Sequence, residues 1–230
     1  LQIKLNQLIF KMENLTLIIP AKDEAESLPE VFKELKDFRC NIIIILEETD
    51  KVTIESIKNF ECKIVFQSGN GYGNALIDGI NNVETEYLCI FNADGSFNPK
   101  ELYKMLKICE NDKDFVFASR YMKGGGSDDD TTLTKIGNFM FSLIGNIFFS
   151  LKLSDILYTY LLGKTEAFKK LNLKSNDFCL CVEMPIKAKK QNMKMIDTPS
   201  FERKRIAGKK KVSEFRDGLK ILVYMMKSLF

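Results

Sequence analysis

Short apolar runs alternate with stretches of helical periodicity through the first half of the chain. Residues 15–19 (LTLII), 41–46 (NIIIIL), 62–66 (CKIVF), 87–91 (YLCIF) and 114–118 (DFVFA) are brief and rich in β-branched and aromatic side chains. Their near-continuous hydrophobicity predicts strands buried on both faces. Between them, 24–38, 51–60, 72–82 and 99–110 carry apolar residues at helical spacing; in 24–38, Leu28, Val31, Phe32 and Leu35 share one face. Strand–helix alternation of this kind predicts an α/β fold, a mostly parallel sheet flanked by helices. Ligands of such sheets bind beyond the carboxyl ends of the strands. The loops after Ile19, Leu46, Phe66 and Phe91 are therefore where chemistry is expected.

The pattern changes in the second half. Residues 124–130 (GGGSDDD) read as a mobile loop. Residues 136–153 are strongly apolar with one charge, Lys152, and are interrupted by Gly137, Asn138, Gly145 and Asn146. A spanning helix wants ~20 predominantly apolar residues. This segment reads either as an amphipathic helix in a membrane interface or as a helix packed in the core. Residues 219–230 form a second apolar helix, also too short to span.

Composition narrows the chemistry. Of 230 residues, 45% are hydrophobic and 28% charged, a globular balance. The absence of histidine excludes Ser-His-Asp and Cys-His hydrolases and His-ligated zinc enzymes. The six cysteines are scattered in apolar stretches and read as reduced thiols of a cytoplasmic protein. The opening residues carry no secretory pattern. Charge is uneven: residues 186–230 hold thirteen Lys or Arg against four Asp or Glu, a net of +9, while the whole chain is +3. A basic C-terminal segment suits phosphate or anionic lipid. Nucleic acid is not an expected partner, because the Lys209–Lys211 run lacks interleaved aromatics and the acidic remainder repels phosphate.

Each of the four loops carries polar chemistry. After the first strand come Pro20, Ala21, Lys22, Asp23 and Glu24, whose acids either face a base or ribose or cap a helix. After the second come Glu47, Glu48, Thr49 and Asp50, suited to a ribose diol or, at Asp50, to a helix cap. After the third, the glycine-rich run from Gly69 through Gly71 to Asn74 allows close approach of a ligand to helix N–H groups. After the fourth come Asn92, Ala93, Asp94 and Gly95, either a turn or a divalent-metal site with Asp94 as the strong ligand and Asn92 adding a neutral oxygen.

With these motifs in hand, the sequence resembles family 2 glycosyltransferases of the GT-A, Rossmann-like nucleotide-diphospho-sugar transferase fold. Within them it is similar to the dolichol-phosphate mannose synthase and polyprenyl-phosphate glycosyltransferase branch. LTLIIPAKDE, GYGNALIDGI, FNADGSFNP, FASRYMKGG and RKRIAGKKK carry the resemblance, in that order. It implies a nucleotide-sugar site built from Pro20, Ala21, Lys22, Glu24, Glu47, Gly71, Asn74, Asn92, Ala93 and Asp94. It implies Mg²⁺ or Mn²⁺ at Asp94 and Asn92, and Arg205 with Lys211 closing over the phosphates. It implies an acceptor phosphate near Arg120, with Lys135 as a further cation, and acidic acceptor-side positions at Asp155 and Glu183. The implied organisation is an extension at 1–11, one transferase domain at 12–212 (nucleotide-binding half 12–98, acceptor half 99–212) and C-terminal amphipathic helices ending in 213–230. Asn92 stands where the family often has Asp, and the loop after the second strand is Glu-Glu-Thr-Asp rather than Asp-Asp-Gly-Ser.

The implied reaction is an inverting displacement from a GDP- or UDP-sugar onto a polyprenyl-phosphate-type lipid at the cytoplasmic face of a membrane, in cell-envelope biogenesis. A sugar hydroxyl acceptor would instead need Asp155 or Glu183 as base. A catalytically silent nucleotide-sugar-binding protein is the third reading, motivated by Asn92.

Overall fold

The computed structural model describes residues 10–208 and 211–229. Of the segment set apart at 1–11, residues 1–9 lie outside the described residues, and residues 10–11 open the first strand. The first strand is β1 (Phe10–Pro20), followed by α1 (Leu28–Leu35), β2 (Phe38–Leu46), α2 (Lys51–Ile57), β3 (Lys63–Phe66), α3 (Tyr72–Asn81), β4 (Tyr87–Ile90), α4 (Lys100–Glu110) and β5 (Phe115–Ser119). The second half adds β6 (Gly126–Ser127), α5 (Thr132–Phe149), β7 (Leu161–Lys164), α6 (Thr165–Lys170), α7 (Leu180–Lys190), β8 (Met195–Pro199), β9 (Phe201–Glu202) and α8 (Glu214–Lys227).

Seven strands form one sheet in the order β3-β2-β1-β4-β7-β5-β8. Neighbours pair in parallel except β7, which runs antiparallel between β4 and β5. Alternate side chains point to opposite faces. Ile18, Ile43 and Ile45 meet α3, α6, α7 and the buried residues of α5 and α8 on one side. Leu17, Ile19, Ile44 and Leu46 meet α1, α2 and α4 on the other. The five predicted strands and four predicted helices of the first half all form, with boundaries moved: β1 and β2 start earlier, at Phe10 and Phe38, and α1 and α2 end earlier, at Leu35 and Ile57. The first helix begins at Leu28 rather than at residue 24, because Glu24 accepts a hydrogen bond from the Ser27 hydroxyl and Pro29 enters in the first turn.

The segment expected to be a mobile loop is instead pinned. Gly126–Ser127 pairs in parallel with Phe201–Glu202, the Asp128 amide donates to Glu202 O, and Asp129 and Asp130 are held by Arg205 and Arg120. The apolar segment expected at 136–153 starts four residues earlier, where Thr131 caps α5 by accepting from the Thr134 amide at 3.1 Å. Buried residues of α5 are Asn138, Phe141, Ser142 and Gly145, while Ile136, Phe139, Ile147 and Phe148 are more than half exposed. It is therefore not a core helix. Alongside it, α8 buries Ile221 and Met225 and exposes Phe215 and Leu219. Among the described residues no helix is long and apolar enough to cross a membrane.

Candidate active site

The carboxyl ends of β1, β2 and β4 open onto one cleft of about 670 Å³. Pro20, Ala21, Lys22, Glu24, Glu47, Gln67 and Gly71 line one end of it. Lys22 ion-pairs with Glu47 at 2.8 Å, and that hydrogen bond raises the ammonium pKa. Asp50 caps α2 through the Thr53 amide and also accepts from the Asp23 amide at 2.8 Å. Those amide bonds outweigh burial and lower its pKa. Asp50 is thus the cap that ties the first two loops together. Glu24 is nearly buried; Lys211 reaches it at 2.6 Å and also contacts the Lys22 carbonyl.

The glycine-rich turn departs from its expected role. Gly71 has φ +98°, and a side chain there would meet the Asn176 carbonyl oxygen at 2.3 Å. The Asn74 amide donates to that same carbonyl at 3.2 Å, and its side chain accepts from the Gly69 amide. Gly71 still borders the cleft, but Asn74 is taken up in docking α3 against residues 175–177. Its amide is not free for a phosphate.

Asn92, Ala93 and Asp94 follow β4 and line the middle of the cleft. Asp94 Oδ1 accepts from the Ser96 amide at 2.9 Å, and Oδ2 faces Arg205 at 3.6 Å. Arg205 is held on its other side by Asp129 at 2.6 Å, which raises its pKa. The segment after β9 is stitched over this turn: the Arg203 amide donates to Ser96 O and the Ile206 amide to Asp94 O, both at 2.8 Å. Gly95 sits at φ +78° under Ile206, where a Cβ would come within 2.4 Å. For a divalent ion, Asp94 and Asn92 offer the hard oxygen donors that Mg²⁺ or Mn²⁺ takes. Among the described residues no three Asp, Glu or Cys side chains converge on such an ion. The residues fit a metal that completes its shell with diphosphate oxygens, and not one caged by protein alone.

The half expected to meet the acceptor differs most from expectation. Arg120 borders the cleft but is buried and fully engaged. It pairs with Asp155 through Nε at 2.8 Å and Nη2 at 3.0 Å, and through Nη1 with Asp130 at 3.2 Å and Glu202 at 3.1 Å. Its guanidinium also lies 4.5 Å from the Tyr158 ring centre. Burial lowers the guanidinium pKa, but the Asp155 and Glu202 charges outweigh it and hold the group charged. Lys135 is exposed and does not line the cleft. Asp155 is fully buried against Arg120, so it orients the arginine and is not presented to an acceptor. Glu183 is not brought to the cleft at all. It is buried on α7, accepts from the amides of Lys174 and Ser175, and pairs with Lys187 at 2.6 Å. Burial raises its pKa, and these partners reverse that and lower it.

Sequence reasoning missed Asp129, Asp130, Tyr158 and Glu202, all of which line the cleft. The acidic run 128–130 was visible, but its partners lie 10 and 76 residues away. Beyond Tyr158 the cleft becomes an apolar groove between α5 and α8, bordered by Leu133, Met140, Phe141, Phe215, Leu219 and Leu222.

The model of Glycosyl transferase family 2 matches residues 16–172. Glycosyltransferase AglJ of Haloferax volcanii is 25% identical over 188 residues, which cover 80% of this chain and 61% of that one. The Dolichol-phosphate mannosyltransferase of Pyrococcus furiosus is 22% identical over 196 residues, 80% of this chain and 55% of its own. The chain thus spans about three fifths of these relatives. Among solved structures, glucosyl-3-phosphoglycerate synthase from Mycobacterium tuberculosis, in complex with Mn²⁺, UDP and glucosyl-3-phosphoglycerate, superposes with a TM-score of 0.73. It is 10% identical, with 94% of this chain and 79% of that one covered. The fold is shared with that structure, a mostly parallel central sheet flanked by helices. With more than half of its residues matched, the chain belongs to glycosyltransferase family 2.

Proposed function

We propose that the enzyme moves a sugar, with inversion, from a nucleoside-diphosphate donor to a lipid phosphate at a membrane surface. The observation that carries the lipid part is the continuity of the cleft: the polar donor end passes directly into the apolar groove between α5 and α8. A phosphosugar or other small acceptor has no use for that groove. The same two helices expose Ile136, Phe139, Ile147, Phe148, Phe215 and Leu219, and an apolar patch of this kind marks an interaction surface. The dolichol-phosphate enzyme among the relatives agrees with this acceptor class.

At the donor end, the base and ribose lie among Pro20, Lys22, Glu24, Glu47 and Gly71. A divalent ion on Asp94 and Asn92 supplies positive charge to the leaving diphosphate. Arg205 and Lys211 contribute fixed cations as charge builds on the diphosphate oxygens. These cations are paired with carboxylates before the donor binds, so the incoming diphosphate exchanges one anionic partner for another. The cleft lining holds four Lys or Arg (Lys22, Arg120, Arg205, Lys211) against seven acids (Glu24, Glu47, Asp94, Asp129, Asp130, Glu202, Glu214). A site with that balance takes an anionic donor only together with a metal ion.

The test is transfer from a panel of GDP- and UDP-sugars to a short-chain polyprenyl phosphate in detergent, with Mn²⁺ and with EDTA. Organic-extractable labelled sugar from one donor, abolished by EDTA, is the expected outcome. Transfer only to soluble phosphoglycerate or free sugars would overturn the lipid acceptor. Nucleotide binding with neither transfer nor hydrolysis would favour a silent binding protein.

A further inference from the structure

We infer that Glu202 is the proton acceptor of the transfer reaction, and that the acceptor phosphate is consumed as its monoprotonated form. The inference rests on the lipid-phosphate reading above and adds a catalytic group that the sequence motifs did not indicate.

The geometry starts from Arg120. This single cation faces Asp155, Asp130 and Glu202. Two of the three have no freedom: Asp155 is fully buried in a two-point pair with the guanidinium, and Asp130 receives both Arg120 and the Tyr121 hydroxyl, at 2.6 Å. Glu202 differs. Its Oε2 accepts from Arg120 at 3.1 Å and from the Ser127 hydroxyl at 2.6 Å, while none of the hydrogen bonds among the described residues falls on Oε1. Glu202 lines the cleft next to Tyr158, whose buried hydroxyl has no hydrogen-bond partner. Ser200 stands close to that hydroxyl, but the two do not meet the geometry of a hydrogen bond, and the Ser200 hydroxyl is itself unpaired. An unsatisfied buried hydroxyl costs free energy and marks a place for a polar ligand atom. Glu202 is also tied to the metal-binding turn, because the adjacent Arg203 amide bonds Ser96 O. The carboxylate and the orphaned hydroxyl thus flank the point where the apolar groove meets the donor site.

The charge environment sets the acceptor's protonation. Asp130, Asp155 and Asp129 surround this point and, among the described residues, pair with Arg120 and Arg205. A dianionic phosphate monoester is repelled there more than a monoanion. The monoanion attacks through an unprotonated oxygen, and its remaining P–O–H becomes strongly acidic as the diester forms. The C–O bond to the anomeric carbon forms, the bond to the diphosphate breaks with its electron pair leaving on the nucleoside diphosphate, and the proton passes to Glu202. Burial raises the Glu202 pKa against the opposing pull of Arg120 and Ser127, which makes it a better base than an exposed carboxylate.

The decisive measurement is kcat/KM against pH with polyprenyl phosphate, donor and Mn²⁺. The wild type should give a bell, falling on the acid side as Glu202 protonates and on the alkaline side as the acceptor loses its last proton. Glu202→Gln should lose on the order of 10² in kcat and the acid limb with it, while metal-dependent nucleotide binding stays at the wild-type level; Glu202→Asp should restore part of the rate. A wild-type rate that rises through the acceptor's second ionisation and stays high overturns the inference, whatever the variants do. So does a Glu202→Gln enzyme with the wild-type profile. Absence of transfer to any polyprenyl phosphate by the wild type removes the lipid-phosphate reading, and this assignment with it.

Discussion

Single residues divide here into those that face the cleft and those that hold others in place, and substitutions separate the two. Asp94 offers one carboxylate oxygen to the cleft while the Ser96 amide fixes the other. Asp94→Ala should remove the metal-dependent thermal shift with nucleotide and lower kcat by about 10²–10³, the scale of losing one electrostatic stabiliser, with folding intact. An Mn²⁺-dependent shift that survives the change would displace the metal from this position. Glu183 is expected to behave oppositely. Its carboxylate satisfies two backbone amides of the segment that α3 leans on, so Glu183→Ala should cost about 1–3 kcal/mol of stability and leave kcat unchanged. The sign of its pH dependence follows from a folded pKa below the ordinary value. Its contribution is present above the unfolded pKa and is lost as pH falls through the folded one. A melting series from pH 7 to pH 3 should therefore show wild type and variant converging at the acid end. A loss of kcat without a loss of stability would return Glu183 to the catalytic group.

Elements explain why the fold was readable and the surroundings of Arg120 were not. The strands and helices of the first half follow from local periodicity, and the four polar loops fall at the sheet edge because parallel strands share one carboxyl end. β7, β8 and β9 are short and make sense only through pairing: Leu161–Lys164 is a strand because β4 and β5 flank it. The resemblance singled out Arg120 and Asp155, but did not show that they neutralise each other across 35 residues. Glu202 had no signal at all, since its partners Arg120 and Ser127 lie 82 and 75 residues away. The glycine-rich turn shows the same limit. Its glycines were read as making room for a ligand, and they make room for residues 175–177. A Cβ on Gly73 would lie 2.1 Å from the Ser175 carbonyl oxygen, and backbone cannot yield as a side chain does. Gly73→Val should displace the start of α3, lower stability by roughly 1–3 kcal/mol and weaken nucleotide binding along with it, read by melting temperature and by donor titration. Normal stability with weak donor binding would instead mean that the turn touches the donor directly.

For the whole molecule, the arrangement of charge and apolar surface gives it a direction. The basic C-terminal stretch leads into α8, and α8 lies beside α5 with the groove between them. Phe139 on α5 is 67% exposed and Phe215 on α8 is 88% exposed, exposures that a monomer in water gains nothing from. A bilayer surface would cover both rings and leave the groove mouth facing the acyl region, where a lipid acceptor's tail resides; Arg216, Lys220 and Lys227 on α8 would then meet headgroups. Two components of binding follow, and they respond to different variables. Phosphatidylglycerol vesicles should sediment the protein more strongly than phosphatidylcholine vesicles, and added salt should erase that difference. The apolar component should persist in salt and fall in a Phe139→Asp, Phe215→Asp double variant. Both rings project from the surface, so melting temperature should stay at the wild-type value; Phe215 also borders the groove, so the rate with a detergent-dispersed acceptor should fall modestly and transfer to acceptor embedded in vesicles much further. If the double variant sediments with vesicles as the wild type does, the α5–α8 face is not the membrane contact. The groove would then have to receive a lipid delivered by some other surface of the chain.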